Sequence, residues 1–199
     1  MTNINYKCKM CGTCCHKVPE DSLKRIPLYP DEADKLIELA ESRAIDFTII
    51  EDLVFPDLKN KKILVLTYRI KLDNESNCCP FYDKINGCTI QYDKPMACRA
   101  YPLALKRKDA FNFSISIDPY CNFVANNYEE LEIVNLEMLK KVFNEEYSKA
   151  EDYYRKNKKL MYKIRKLEVT RKIDIPRDIS FDMFDSYLKN WDRMEIRVK

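Results

Sequence analysis

Four cysteines fall within eight consecutive positions, "CKMCGTCC" at residues 8–15, and two of them, Cys14 and Cys15, are adjacent. A packed core can use a buried cysteine as a small hydrophobe, but packing does not select one sulfur-bearing residue at fixed intervals. A bound ion or cluster does. The remaining cysteines are Cys78, Cys79, Cys88, Cys98 and Cys121, and none follows Cys121. The fold must therefore bring thiols from distant parts of the first two thirds of the chain onto a shared centre. The total of nine is odd, and a reducing compartment keeps thiols free for metals or chemistry, which favours ligation over disulfides. The exception is the cytoplasm of a hyperthermophile, where disulfides persist. The chain has neither a signal-like start nor an apolar run approaching the ~18 residues of a membrane span. A cytoplasmic location with no membrane partner is expected.

Cys8, Cys11 and Cys14 repeat every third residue, like the C-x2-C-x2-C run that wraps a cubane 4Fe-4S iron-sulfur cluster, and Cys79 before Pro80 is a candidate remote ligand. Zinc competes for the same pattern, since four thiolates make a closed tetrahedral site, and soft thiolates suit both. Adjacent side chains in an extended segment point to opposite faces. Cys14 and Cys15 therefore predict two centres, or one larger cluster approached from two sides. Setting Cys78 apart leaves eight sulfurs, enough for two four-thiolate sites; Cys78 itself reads as a spare thiol, a core residue or a substitute for Cys79. His16 is the only histidine; beside Lys17 its ordinary reading is a surface or supporting group, with zinc ligation as the alternative. Direct thiol catalysis would need a low-pKa cysteine beside a base, and the sequence places no evident base next to Cys78.

Only two glycines occur, Gly12 inside "CGTC" and Gly87 directly before Cys88. Glycine tolerates positive φ, which a loop turning thiolates toward one metal often needs, although turn chemistry alone would also justify either residue. The scarcity excludes a Walker loop and a glycine-rich dinucleotide turn, each of which needs several glycines close together. A radical methyl-donor enzyme is disfavoured too: Cys11 and Cys15 have the first spacing of its C-x3-C-x2-C loop, but position 18 is Val18.

Pro30-Asp31 opens a helix with Ala33, Leu36, Ile37 and Ala40 on one face, ending near Arg43. "KKILVLTYRIKL" (61–72) and "AFNFSISI" (110–117) read as strands, and "CCPFYD" and "GCTIQY" as short strands or knuckles around a turn. Leu136, Leu139, Phe143, Tyr147, Ala150, Leu160, Ile164 and Leu167 keep helical spacing to about residue 170. A last helix starts at Ser180, with Phe181, Phe184, Leu188 and Trp191 on one side. The expected fold is α+β: a cysteine-rich metal-binding domain of short strands, loops and helices over 1–125, and a helical C-terminal region over 126–199 packed on it.

The residues "CKMCGTCC" (8–15), "CPFYD" (79–83), "GCTIQYDKPMACRAYP" (87–102) and Cys121 resemble the YkgJ-like cysteine-cluster proteins with a CxxCxxCC signature, a zinc- or iron-chelating domain. The resemblance covers about residues 6 to 125. It implies metal ligation by Cys8, Cys11, Cys14, Cys15, Cys79, Cys88, Cys98 and Cys121, with one or two centres of iron-sulfur or zinc. One relative, the flagellin lysine N-methylase, implies a role in modifying protein lysines. Arg99 and Tyr101 match the "CRAYP" element, where an arginine can hydrogen-bond to sulfur and tune the cofactor, or simply pack a turn. The family has Arg-Pro where this chain has Lys94-Pro95; lysine keeps the charge but lacks the bidentate fork.

From Lys149 to Lys172 ten Lys and Arg face three Asp and Glu, against a net charge of +3 for the whole chain. Tyrosines interleave, so phosphate contact and base stacking are conceivable, but the apolar stripe favours a solvated helix packed on the domain or a partner. A protein partner or substrate is expected, nucleic acid being the less favoured one. The two function classes are a redox or protein-modification metalloprotein, with iron-sulfur slightly ahead of zinc, and a non-catalytic zinc-stabilised binding module that uses the basic helix.

Overall fold

"KILVLTYRI" supplies a strand so apolar that it must be covered on both faces: β3 (Lys62–Ile70), in which Ile63, Leu64, Val65 and Leu66 are fully buried. The computed structural model describes residues 4–16, 26–107, 113–132 and 135–198. The chain divides into two units, Met1–Ile26 with Leu72–Tyr154, and Pro27–Lys71 with Arg155–Lys199. Both helices and short sheets are present throughout, an α+β fold.

In the unit of Pro27–Lys71 and Arg155–Lys199, β3 is the central strand. β2 (Ile49–Asp57) runs antiparallel along it from Ile49 opposite Ile70 to Asp57 opposite Lys62. The other side of β3 takes β1 (Pro27–Leu28) at Tyr68 and Arg69, and β8 (Asp192–Glu195) in parallel at Lys62–Val65. β2 and β8 escape the periodicity reading because both are edge strands: β2 carries acids and Pro56, which edges tolerate, and β8 is largely charged. α1 (Pro30–Ser42) begins as predicted, with Pro30 at its first position and the Tyr29 amide donating to Glu32 Oε2 at 3.1 Å. Its buried face is Ala33, Leu36 and Ala40. Asp57 is completely buried at the end of β2, where its carboxylate accepts from the amides of Lys59 (3.2 Å) and Asp174 (2.9 Å) and from the Asn60 side chain.

α6 (Asn144–Val169) belongs to both units, and its basic stretch lies mainly in this one. Leu160 and Ile164 are buried as the apolar stripe predicts, whereas Tyr162 is exposed. Several cations of the stretch are engaged within the chain: Lys156 bonds Asp31 at 2.8 Å and lies over the Tyr29 ring, and Lys163 donates to the Arg197 carbonyl at 2.6 Å. α7 (Phe181–Asn190) starts behind Ser180, whose hydroxyl accepts from the Met183 amide at 3.3 Å. Phe181 is exposed at this helix's first position, unlike Phe184 and Leu188.

The unit of Met1–Ile26 and Leu72–Tyr154 has two small hairpins and a set of short helices. β4 (Tyr82–Asp83) pairs with β5 (Gly87–Cys88), and β6 (Leu103–Arg107) with β7 (Phe113–Ile117); residues 110–112 of the second predicted strand lie outside the described residues. The helices are α2 (Met96–Ala100), α3 (Asn122–Asn126), α4 (Tyr128–Glu132) and α5 (Leu136–Val142), followed by α6. Leu103, Cys121, Val124, Leu131, Val142, Phe143, Tyr147 and Ala150 form its core. The helix predicted to run unbroken from Leu136 is interrupted at Phe143, where the chain leaves helical geometry. Phe143 is fully buried and packs against Tyr6 and Phe123. The restart at "NEE" puts acids into the first turn of α6, where the helix dipole favours them.

Candidate metal centre

Each of the two glycines lies in one cysteine loop and is pressed against the other. Gly12 has φ +81, and a Cβ there would sit 2.3 Å from Cζ of Tyr82; Gly87 has φ +72, and a Cβ there would sit 2.6 Å from Cβ and 2.7 Å from the carbonyl oxygen of Met10. Positive φ was legible in the sequence; the close approach of one loop to the other was not. Met10 is itself at φ 53, so the segment before Cys11 and the one before Cys88 meet turn to turn. Asp83 shapes the second loop by accepting from the amides of Ile85 (2.9 Å) and Asn86 (2.7 Å).

Following Gly12, residues Thr13–Cys15 form a 3-10 turn in which the Gly12 carbonyl accepts from the amides of Cys15 (2.7 Å) and His16 (3.2 Å). This overturns the premise that Cys14 and Cys15 point to opposite faces, which holds for an extended segment and not for a tight turn. Their sulfurs are 3.9 Å apart. A tetrahedral centre with Zn–S bonds of about 2.3 Å has sulfur-to-sulfur edges of about 3.8 Å, so the pair is spaced as two ligands of one metal.

None of the nine cysteines is joined in a disulfide. Seven of them, Cys8, Cys11, Cys14, Cys15, Cys88, Cys98 and Cys121, line one cavity of about 250 Å³, together with Arg99 and Tyr101. Cys88 comes from β5, Cys98 from α2, and Cys121 caps the start of α3. Cys79 does not line the cavity but is fastened beside it, its amide donating to the Cys15 carbonyl at 2.9 Å. The donor chemistry fits a thiophilic group. Among the described residues, however, no three Cys, His, Asp or Glu side chains meet closely enough to hold one ion. The cysteines line a volume instead of closing on a point.

Burial pushes the thiols of Cys79, Cys88, Cys98 and Cys121 above their ordinary range, Cys79 to about 12, and the charges of neighbouring cysteines add to the effect. Cys15 is raised first by its hydrogen bond with Cys14, then by burial. The Cys14 charge adds to the rise at Cys15, Cys78, Cys79, Cys88 and Cys98. So many thiolates cannot ionise together without a compensating cation, and a bound metal reverses this balance by holding its ligands deprotonated.

Sequence reasoning marked Lys94 only as a charge retained in the family's element and missed its approach to Cys8, and it missed Tyr6. Lys94 donates from Nζ to Cys8 Sγ at 3.6 Å; burial pulls its pKa down, but the charges of Cys8, Cys88, Cys14 and Cys98 outweigh that and raise it. Tyr6 hydrogen-bonds Cys121 through its side chain and packs edge-on against Phe123; burial holds its phenol protonated. The string "YKC" at residues 6–8 gives no signal for the Tyr6 role. Arg99 donates to the carbonyls of Lys94 (2.6 Å) and Tyr92 (3.3 Å), bracing the loop that carries Lys94. Tyr101 interacts with Asp118, and burial raises its pKa.

Residues 7–122 match the sequence model of the family CxxCxxCC, "Putative zinc- or iron-chelating domain". The chain belongs to this family. No curated protein and no solved structure matches it. The CxxCxxCC segment ends next to Cys121, so all nine cysteines lie within it, and Pro27–Lys71 of the second unit is enclosed by it in sequence. Among the described residues no helix is long and apolar enough to cross a membrane.

Proposed function

We propose that the seven-cysteine cavity holds a polynuclear thiolate-bound centre, an iron-sulfur cluster ahead of isolated zinc, and that the protein uses it in a redox or protein-modification step. The observation that carries this reading is the cavity itself: seven cysteines line one volume of about 250 Å³ while no three ligand side chains among the described residues close on a single ion. A mononuclear zinc site draws four sulfurs to one point, whereas a cluster fills space between them. An iron-sulfur cluster supplies one-electron transfer when bound. Cys8, Cys11, Cys14, Cys15, Cys88, Cys98 and Cys121 would hold it, with Cys79 adjacent, and Lys94 would offset thiolate charge at Cys8. Cys11 is exposed and Met10 beside it is 41% exposed, so one rim of the cavity is open to a protein partner or substrate.

Elemental analysis of iron, zinc and acid-labile sulfide on anaerobically purified protein tests this directly. Iron and sulfide in equal amounts with brown charge-transfer absorption is the expected result. Colourless protein with zinc and no sulfide would replace the reading with a zinc-stabilised binding module, whose partner the cations of α6 would contact.

A further inference from the structure

The mouth of the seven-cysteine cavity carries charge and exposed apolar surface that holding a metal does not require. Lys7, Lys9, Lys94, Arg99 and Lys149 line it, against two carboxylates, Glu145 and Glu146, from the first turn of α6. Lys94 is drawn inward to Cys8, and Lys149 reaches Asp152 at 3.8 Å. Lys7 and Lys9 are exposed, on the segment that leads into Cys11. Arg99 is exposed as well, and its bonds go to the neutral carbonyls of Lys94 and Tyr92, which leave its charge in place. At the same mouth Tyr92 is 93% and Met10 is 41% exposed. Ile85, 92% exposed, stands in the turn of the β4–β5 hairpin, two positions before the Gly87 that is pressed against Met10. Single apolar side chains on a surface are ordinary. Three of them on two loops that meet, collared by cations, have the layout of a protein interface, an apolar centre inside a charged rim.

We infer that the cavity mouth is a docking surface for an acidic protein, with Met10, Ile85 and Tyr92 making the apolar contact and Lys7, Lys9 and Arg99 meeting the partner's carboxylates. The sign of the partner follows from charge complementarity, which steers encounter and suppresses wrong partners more than it adds affinity. Glu145 and Glu146 stand against a continuous run of phosphates, and Met10 and Ile85 offer no ring on which a base could stack. A folded protein surface fits this mixed rim better than a nucleic-acid strand does, and the two carboxylates fix which way round it sits by meeting a cation on it. The inference rests on the reading that the cavity is the functional centre, because a partner seated here covers the rim that carries the exposed Cys11.

The test uses the full-length protein, purified anaerobically and assayed for iron, zinc and sulfide. Its binding to oxidised flavodoxin, a small acidic protein, is measured by isothermal titration calorimetry at low salt and at about 0.5 M salt. Wild type is compared with Lys9→Glu, Tyr92→Ser and a control, Lys158→Glu, which makes the same charge change at an exposed position of α6 in the other unit. Each variant is checked for native circular dichroism and unchanged metal content. At low salt Lys9→Glu should weaken binding by about 3–10-fold and Lys158→Glu by less than about two-fold. Higher salt should erase the Lys9→Glu effect by screening, while a loss of roughly 3–10-fold in Tyr92→Ser should persist because apolar burial is not screened. Failure of wild type to bind, equal losses in Lys9→Glu and Lys158→Glu, or equally tight binding of the basic protein cytochrome c would overturn the inference. Mixed single-stranded RNA that outcompetes flavodoxin and loses its own binding in Lys9→Glu would overturn it too, by making the mouth a nucleic-acid surface. The cavity reading fails separately: zinc-loaded, sulfide-free protein that docks as expected keeps this inference and sinks the iron-sulfur cluster, and iron- and sulfide-containing protein that does not dock does the reverse.

Discussion

Placing a methyl group on either glycine tests whether the two cysteine loops are fitted to each other, and the two positions should respond differently. Both adopt left-handed geometry, which costs a non-glycine residue about 1–2 kcal/mol. At Gly87 the added Cβ also meets Met10 backbone, with the carbonyl oxygen at 2.7 Å, and forced overpacking costs about 1–3 kcal/mol more. Gly87→Ala should therefore destabilise by about 2–5 kcal/mol. At Gly12 the three nearest atoms all belong to the Tyr82 ring, which is the end of a side chain that can be truncated. In a Tyr82→Ala background, Gly12→Ala should cost only the backbone strain of about 1–2 kcal/mol. Met10→Ala offers no such relief to Gly87→Ala, because the obstructing atoms are Cβ and backbone. Urea denaturation followed by circular dichroism on the single and double variants measures both couplings, with metal content as a second readout. A Gly87→Ala protein of wild-type stability, or one rescued by Met10→Ala, would refute the seam between the loops. So would a Gly12→Ala cost that Tyr82→Ala leaves unchanged.

Stability against pH should separate metal-free from loaded protein. The buried thiols titrate higher in the folded chain than in the unfolded one, so above the ordinary thiol value of about 8.5 the unfolded state has released protons that the folded state keeps. Metal-free protein should then lose stability as pH rises from there toward the value of about 12 at Cys79, while loaded protein, with thiolates already ionised, should weaken only on acidification; a flat alkaline profile without metal would contradict the thiol assignment. Lys94→Met should weaken metal retention by roughly 10–100-fold in chelator competition, and Lys94→Arg should restore part of it; equal defects in both variants would mean that the cation at Cys8 does not matter. Asp57→Ala leaves the amides of Lys59 and Asp174 without their acceptor and should destabilise by about 2–5 kcal/mol with no change in metal content; altered metal content would contradict its purely structural place at the end of β2.

Where a segment's own chemistry decides its structure, the sequence was readable. "YPDE" starts α1 because proline is preformed for the first helical position and Glu32 reaches back to the Tyr29 amide. "KILVLTYRI" is too apolar to be anything but a covered strand, and Ser180 caps α7 as its hydroxyl predicts. The reading failed where a distant contact decides. Phe143 continues a helical stripe in sequence, yet burial against Tyr6 and Phe123 outweighs one helical turn and splits α5 from α6. β2 and β8 are strands because β3 needs partners on both edges, which neither of their own compositions announces. The same division runs through the site. That cysteines matter was plain from spacing, but that Lys94 approaches Cys8, or that His16 approaches Cys78 across 62 positions, depends on loop closure that no local pattern encodes.

The glycine contacts and the unclosed sulfurs together assign separate tasks to polypeptide and metal. Gly12 against the Tyr82 side chain and Gly87 against the Cβ and backbone of Met10 fit the two cysteine loops to each other. The cysteines, by contrast, line a volume, and burial first, then the charges of neighbouring thiolates, raises the pKa of Cys79, Cys88, Cys98 and Cys121. Under the proposed reading, the loops that carry the donors would be in place before a metal enters, and the contraction of sulfur onto it would wait for the cation charge that makes ionisation favourable. A site arranged this way gains affinity from loops already in place, and it couples loading to proton release instead of to folding of the whole unit. Loss of metal should then leave the seam between the loops intact, with Cys11 the first thiol to become reactive toward an external alkylating reagent, since Cys11 is exposed while Cys15, Cys79 and Cys121 stay covered.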